Sequence, residues 1–274
     1  MYIWRKRTGP GGLRDRIEPL TQRFGSRLVL VERPGQKRTL LEISCRTRKE
    51  TQKLVREFGG TVEELRADWL QHFVKPANTK PLRIGARLVI LDTPSKRSDL
   101  TRALLIPAEA AFGTGHHATT AMCLRLLEQI TRRRSPGWTM LDAGTGSGIL
   151  ALAGSRFGAA RVLAIDNDPL ALSTAKRNAR ANRAQNIEFI TGDILKHKLP
   201  EKFDIITANL FSEILIKALP VWSRHLAVGG RLILSGILRA QEKEVVRALC
   251  RQGFAVAEAR RRGKWIALLA QWVD

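Results

Sequence analysis

The sequence predicts an α/β protein in which a parallel sheet, covered by helices on both faces, follows a smaller α/β module. Three observations carry this. Beyond residue 102, short apolar runs suited to strands alternate with helical segments of roughly 10–15 residues. A glycine-rich turn joins one such run to the next helix. Acidic residues recur just past the ends of the runs that follow, where an open α/β sheet gathers its ligands.

The elements fall in order. Arg27–Glu32 and Thr39–Ile43 read as strands separated by the Pro34-Gly35 turn. Thr47–Phe58 reads as a surface helix, with Leu54 and Val55 one turn before Phe58, and Gly59-Gly60 closes it. Thr61-x-x-Glu64 is a capping pattern that predicts a second helix through Trp69 and Phe73. Lys75–Pro81 is expected as an extended connection, and Arg87–Leu91 as another strand.

The expected organisation is a small α/β module over 1–74, a connecting segment over 75–101 and a larger α/β domain over 102–274. In the last of these, Ala121–Ile130 is helical and ends in the basic turn Arg132–Gly137. Strands are expected at Trp138–Leu141, Arg161–Ile165, Ile187–Ile190, Phe203–Thr207 and Arg231–Leu234. Helices are expected at Ile149–Phe157, Pro169–Asn182, Ser212–Leu226 and Gln241–Arg251, followed by terminal strands Ala255–Ala259 and Trp265–Leu269.

Composition narrows the function classes. A chain of 274 residues with 44% hydrophobic residues has enough apolar material for real cores. No run approaches the roughly 20 apolar residues that span a bilayer, so no membrane association is expected. Met1–Gly12 is basic and lacks an apolar h-region, which argues against a secretory signal. Cys45, Cys123 and Cys250 are scattered through apolar patterns and read as buried small hydrophobes in a reducing, cytoplasmic setting. The five histidines show no Cys/His ligand spacing, and no metal is expected. The formal charge of +22 would attract RNA, a ribosomal particle, DNA or an acidic protein. Arginine as the default solubilising residue is the plainer reading of the same charge.

The chemistry concentrates in Leu141-Asp142-Ala143-Gly144-Thr145-Gly146-Ser147-Gly148, at a strand end and a helix start. Glycines here let backbone amides approach a ligand that a Cβ would obstruct. The spacing differs from the Gly-x-Gly-x-x-Gly dinucleotide fingerprint, and the acid Asp142 would be poorly placed beside a pyrophosphate. A methionine moiety carrying an ammonium, a carboxylate and a sulfonium suits it better. Asp166, at the end of the next strand, is placed to accept both ribose hydroxyls; a turn or cap acid is the alternative. Asp168, followed by Pro169, suits the cap.

Asp193, beyond the third strand, is placed for the exocyclic amine of adenine, or is a surface turn residue. Together these point to an adenosine-containing cofactor, S-adenosylmethionine. Asn209 follows the fourth strand, where its amide can accept from an amine; a cap before Ser212 is the alternative. Upstream, Phe112 is available to cover an apolar ligand surface, and Thr114, His117, Thr119 and Thr120 to supply hydrogen bonds. Either His116 or His117 taken alone also reads as a surface or cap residue.

Taken together, Ala111–Thr120, Leu141–Leu150, Asp166-Asn167-Asp168-Pro169, Ala208-Asn209-Leu210 and Leu234–Leu238 resemble the ribosomal protein L11 methyltransferase family. The similarity covers nearly all of residues 100–270, and more faintly Asp68–Phe73 and Ile84–Ile90. The resemblance implies a Rossmann-like, seven-stranded class I methyltransferase domain preceded by a small α/β substrate-recognition domain. It implies methylation of lysine ε-amines and an N-terminal α-amine of ribosomal protein L11. It makes Asn209 the active-site asparagine, with Thr114 and His117 beside it as catalytic candidates. Cofactor contacts are then expected from Thr119, Asp142, Gly144, Gly146, Gly148, Asp166, Asp193 and Asn209. Ala118 stands where the family often has proline, and residues 1–60 match its recognition module poorly. Two other readings are an RNA or other-substrate methyltransferase on the same fold, and a noncatalytic ribosome-binding module. No Asn-Pro-Pro-Tyr pattern occurs at Asn209, which weighs against base methylation.

Overall fold

The structure is a computed structural model that describes residues 2–9, 18–21, 23–24, 27–31, 39–45, 47–64, 81–93, 102–107 and 115–273. The chain forms two compact units, Met1–Lys75 and Pro76–Asp274.

In the first unit, strands β1 (Tyr2–Thr8), β2 (Leu28–Val31), β3 (Thr39–Cys45) and β4 (Thr61–Glu64) form an antiparallel sheet in the order β2-β3-β1-β4. Period-2 alternation turns Leu41, Ile43 and Cys45 inward, where they meet Trp4 and Leu54 of helix α1 (Arg48–Phe58). Thr47 caps α1 by accepting from the Glu50 amide at 3.3 Å, and Trp4 Nε1 donates to the Gly59 carbonyl at 2.7 Å.

The capping pattern at Thr61 misled: Thr61–Glu64 is strand β4, not a helix start. Its backbone pairs with β1, Arg5 opposite Thr61 and Tyr2 opposite Glu64, and this non-local ladder overrides the local preference. The remainder of that expected helix, and nearly all of the 75–81 connection, lie outside the described residues.

The second unit opens with β5 (Leu82–Ile84), β6 (Leu88–Leu91) and β7 (Ala103–Leu105), a small three-stranded sheet. Ile84, Leu88, Ile90 and Leu104 pack into the same core as helix α2 (Ala118–Thr131). Asn182 extends the β7 ladder, taking the Leu105 amide on Oδ1 and giving Nδ2 to its carbonyl, both at 2.8 Å. The described part of the expected connecting segment therefore belongs to the larger unit.

Strands β8 (Thr139–Ala143), β9 (Arg161–Asp166), β10 (Ile187–Thr191), β11 (Phe203–Asn209), β12 (Leu226–Leu238), β13 (Phe254–Arg262) and β14 (Trp265–Trp272) make one sheet in the order β10-β9-β8-β11-β12-β14-β13. Six strands point the same way, and only β14, antiparallel to both β12 and β13 between which it lies, is reversed. Alternate side chains supply two cores. Met140, Val162, Ala164 and Ile205 face α2 and α3 (Ile149–Arg156), with Ala179 of α4 (Pro169–Ala181). Leu141, Leu163, Ile206 and Leu232 face α5 (Ser212–His225) and α6 (Glu242–Arg251).

Two of the three cysteines are buried. Burial pushes the Cys123 thiol up to about 12, while Cys250 is exposed, contrary to expectation, because α6 buries Val245, Ala248 and Leu249 instead. Among the described residues no helix is long and apolar enough to cross a membrane.

Candidate active site

Parallel strands end together, so the residues following β9, β8 and β11 share one edge. Trp265 joins them because β14 runs antiparallel and starts where β12 ends, with Trp265 opposite Leu238. A cavity of about 580 Å³ opens at this edge, lined by Asp166, Gly144, Gly146, Asn209, His117 and Trp265 among others. That size suits a small-molecule cofactor or substrate.

The glycine turn is built for close approach. Gly144, Gly146 and Gly148 all have positive φ, at +72°, +56° and +80°. The amides of Gly144 and Thr145 both donate to the Ile165 carbonyl, at 2.8 and 3.0 Å, which ties the turn to β9. A Cβ on Gly144 would lie 2.4 Å from Leu210 Cδ2, and one on Gly148 would press on Ala175 of α4 at 3.1 Å. Gly144 and Gly146 thus line the cavity, whereas Gly148 serves the helix start and its packing.

Gly236 sits at a register shift in β12, with φ +85°, and a Cβ there would meet the Leu210 carbonyl oxygen at 2.2 Å. Gly236→Ala should therefore cost about 3 kcal/mol or more in urea unfolding. An unchanged midpoint would show that β12 and the Leu210 segment are not held in this contact.

The acids divide the work. Asp166 accepts from the Gly146 amide at 2.8 Å and from the Asp168 amide at 3.0 Å, and it lines the cavity. Asp168 caps α4 through the Leu170 amide at 2.9 Å. Asp193 is exposed, takes the Leu195 amide at 2.9 Å and does not line the cavity; the Gly192 amide ties its turn to the Asp166 carbonyl.

Asp142 departs from expectation. It is buried beneath the turn, taking Thr145 Oγ1 at 2.6 Å, Thr207 Oγ1 at 2.7 Å and the Ala151 amide at 3.2 Å, so it braces the site and does not face the cavity. Burial lifts its carboxyl to about 6, against the hydrogen bonds from Thr145, Thr207 and Ala151. The unfolded value is about 3.9, so the folded chain holds this proton more tightly. Its contribution to stability is full below about pH 4 and is lost as pH rises through about 6. Relative to Asp142→Asn, the wild type should lose up to about 3 kcal/mol of unfolding free energy between these limits. Denaturant titrations across that window check this; a pH-independent difference would contradict it.

Asn209 ends β11 and lines the cavity. Its Nδ2 donates to Thr120 Oγ1 at 3.3 Å, while Oδ1 is buried without a hydrogen-bond partner. Phe211, not Asn209, is the N-cap residue of α5, so the amide is left for the cavity. A buried acceptor with no donor is unfavourable unless a ligand supplies one. His117 caps the start of α2 by position, shares a 2.7 Å hydrogen bond between Nδ1 and Thr119 Oγ1, and meets Trp265 edge-on with ring centroids 5.3 Å apart. Thr119 also lines the cavity. Phe112 and Thr114 lie outside the described residues. Reading the sequence missed Trp265, Gly236 and Phe211 as cavity residues. The tight Gly263-Lys264 connection that folds β14 back on β13 was the available signal for Trp265.

The strand order 3-2-1-4-5-7-6, counted within this sheet, and the glycine turn between its first strand and helix define the class I S-adenosylmethionine-dependent methyltransferase fold. Residues 35–272 match the family model described as ribosomal protein L11 methyltransferase (PrmA). The chain is 41% identical over 209 residues to the ribosomal protein L11 methyltransferase of Pelotomaculum thermopropionicum, covering 74% of this chain and 65% of that protein. With the Heliobacterium modesticaldum protein of the same name, identity is 37% over 234 residues, covering 84% and 71%. A crystal structure of the ribosomal protein L11 methylase from Lactobacillus delbrueckii subsp. bulgaricus superposes with a TM-score of 0.63 at 31% identity, over 71% of this chain and 99% of that one. The chain belongs to the ribosomal protein L11 methyltransferase family. It spans about two thirds of the length of the curated relatives it matches.

Proposed function

We propose that this chain transfers methyl groups from S-adenosylmethionine to amino groups of a ribosomal protein, with ribosomal protein L11 as the substrate. The observation that carries the reading is the buried, unpartnered Asn209 Oδ1 at the cavity wall. An amine N–H is a donor that satisfies it. The names of the relatives support the choice of L11.

Asp166 holds the ribose hydroxyls, because a carboxylate has about four lone-pair positions and two backbone amides use only half of them. Gly144 and Gly146 admit the methionine end, and Thr119 with His117 closes the side toward α2. When bound, S-adenosylmethionine supplies an electrophilic methyl group on a sulfonium.

The remaining work falls to the chain. A free lysine amine is mostly protonated, with a pKa near 10.4, and an apolar wall disfavours the ammonium. Asn209 Oδ1 accepts one N–H and orients the lone pair, and His117 positions the acceptor. Alignment and exclusion of water then supply much of the rate without a strong base. The cytoplasm is the place of action, and the basic surface assists the encounter with ribosomal RNA or its complexes.

Intact-mass measurement of ribosomal proteins incubated with the chain and S-adenosylmethionine tests the reading. L11 should gain mass in steps of one methyl group. Label appearing in ribosomal RNA, or in no component, would overturn it.

A further inference from the structure

Phe211 is 71% exposed, yet it lines the cavity. Large apolar side chains of the described residues are exposed at six positions, and two of them, Leu170 and Phe211, belong to this cavity. Exposed apolar surface gathered at a cleft marks a place where something apolar binds.

The two residues serve different ends. Leu170 is in the first turn of α4, the helix entered from β9 and Asp166, so it stands at the ribose end. Phe211 follows Asn209 by two positions at the start of α5, on the β11 side. Strands lie about 4.8 Å apart, so two strand intervals separate the Asp166 position from Asn209 by roughly 10 Å along the edge. A donor anchored at Asp166 with its reactive end toward Asn209 leaves the β11–β14 side for the acceptor.

The Phe211 carbonyl accepts from the Ile214 and Leu215 amides at 3.0 and 3.1 Å, which fixes the residue's backbone. Its phenyl ring, which has no hydrogen-bonding group, is exposed at the cavity wall. A lysine ε-amine arrives on a four-carbon apolar stem, whereas an α-amine arrives one carbon from a polar carbonyl.

We propose that Phe211 is a specificity-determining residue that selects lysine side chains over α-amines by packing along the alkyl stem. The inference rests on the amine-methylating activity proposed above.

Two peptide acceptors test it: one N-acetylated with a single lysine, the other with a free α-amine and no lysine. The wild-type chain comes first; transfer to neither peptide would sink the proposed activity itself. With transfer established, Phe211→Ala should raise KM for the lysine peptide about tenfold, the size expected for exposing roughly two methylenes. Its kcat, the kinetics of the α-amine peptide and the affinity for S-adenosylhomocysteine should be little changed, and Phe211→Leu should restore most of the loss. Equal losses on both peptides, or no loss on either, would overturn the role of Phe211 while leaving the activity standing.

Discussion

Replacing Asn209 with alanine should lower methyl transfer about a hundredfold while leaving donor affinity nearly unchanged. The reason lies in what the amide touches. Nδ2 is engaged with Thr120 Oγ1, and only Oδ1 is left for a ligand donor. Removing it loses the group that fixes the acceptor's lone pair but none of the contacts assigned to the ribose. Steady-state turnover and calorimetric titration of S-adenosylhomocysteine separate the two effects. Asn209→Asp sharpens the test, because a carboxylate would stabilise the protonated amine and shift activity toward higher pH. Unchanged turnover in the alanine variant would refute the assignment.

The second large effect belongs to Asp166. Asp166→Ala should weaken donor binding by about 10²-fold or more, since hydrogen bonds to a charged group contribute about 1.5–3 kcal/mol each and two are proposed. The same variant frees the Gly146 and Asp168 amides, so the glycine turn also loses its anchor. Both losses act on binding. With donor at saturation, turnover should recover far more than in the Asn209 variant. Affinity within a few-fold of wild type would show that the ribose is held elsewhere.

These assignments could be read from sequence because the strand ends were legible. In a parallel sheet with short connections, the residue after each apolar run falls at one edge, so Gly144, Asp166 and Asn209 could be placed before any coordinates. Asp142 was harder. An acid beside a glycine turn looks like a ligand contact, and only the three hydrogen bonds beneath the turn show that it braces Thr145, Thr207 and the start of α3.

Strand β1 was invisible for a different reason. Tyr2–Thr8 carries three consecutive basic residues, and its pairing with β3 and β4 comes from segments far along the chain. The Thr61 pattern failed on the same ground, since a sheet edge offered its backbone a ladder that no local signal reports. Trp265 and Phe211 were missed because no motif or spacing in the sequence singles them out. Their place at the cavity depends on the antiparallel return of β14 and on the exact turn into α5.

A crystal structure with S-adenosylhomocysteine tests the central claim most directly, that one crevice seats a sulfonium donor against the amide that orients an amine. The ribose hydroxyls should lie on Asp166, with the sulfur turned toward Asn209. A nucleoside held in another cavity, or an Asn209 Oδ1 facing away from the sulfur, would contradict the account.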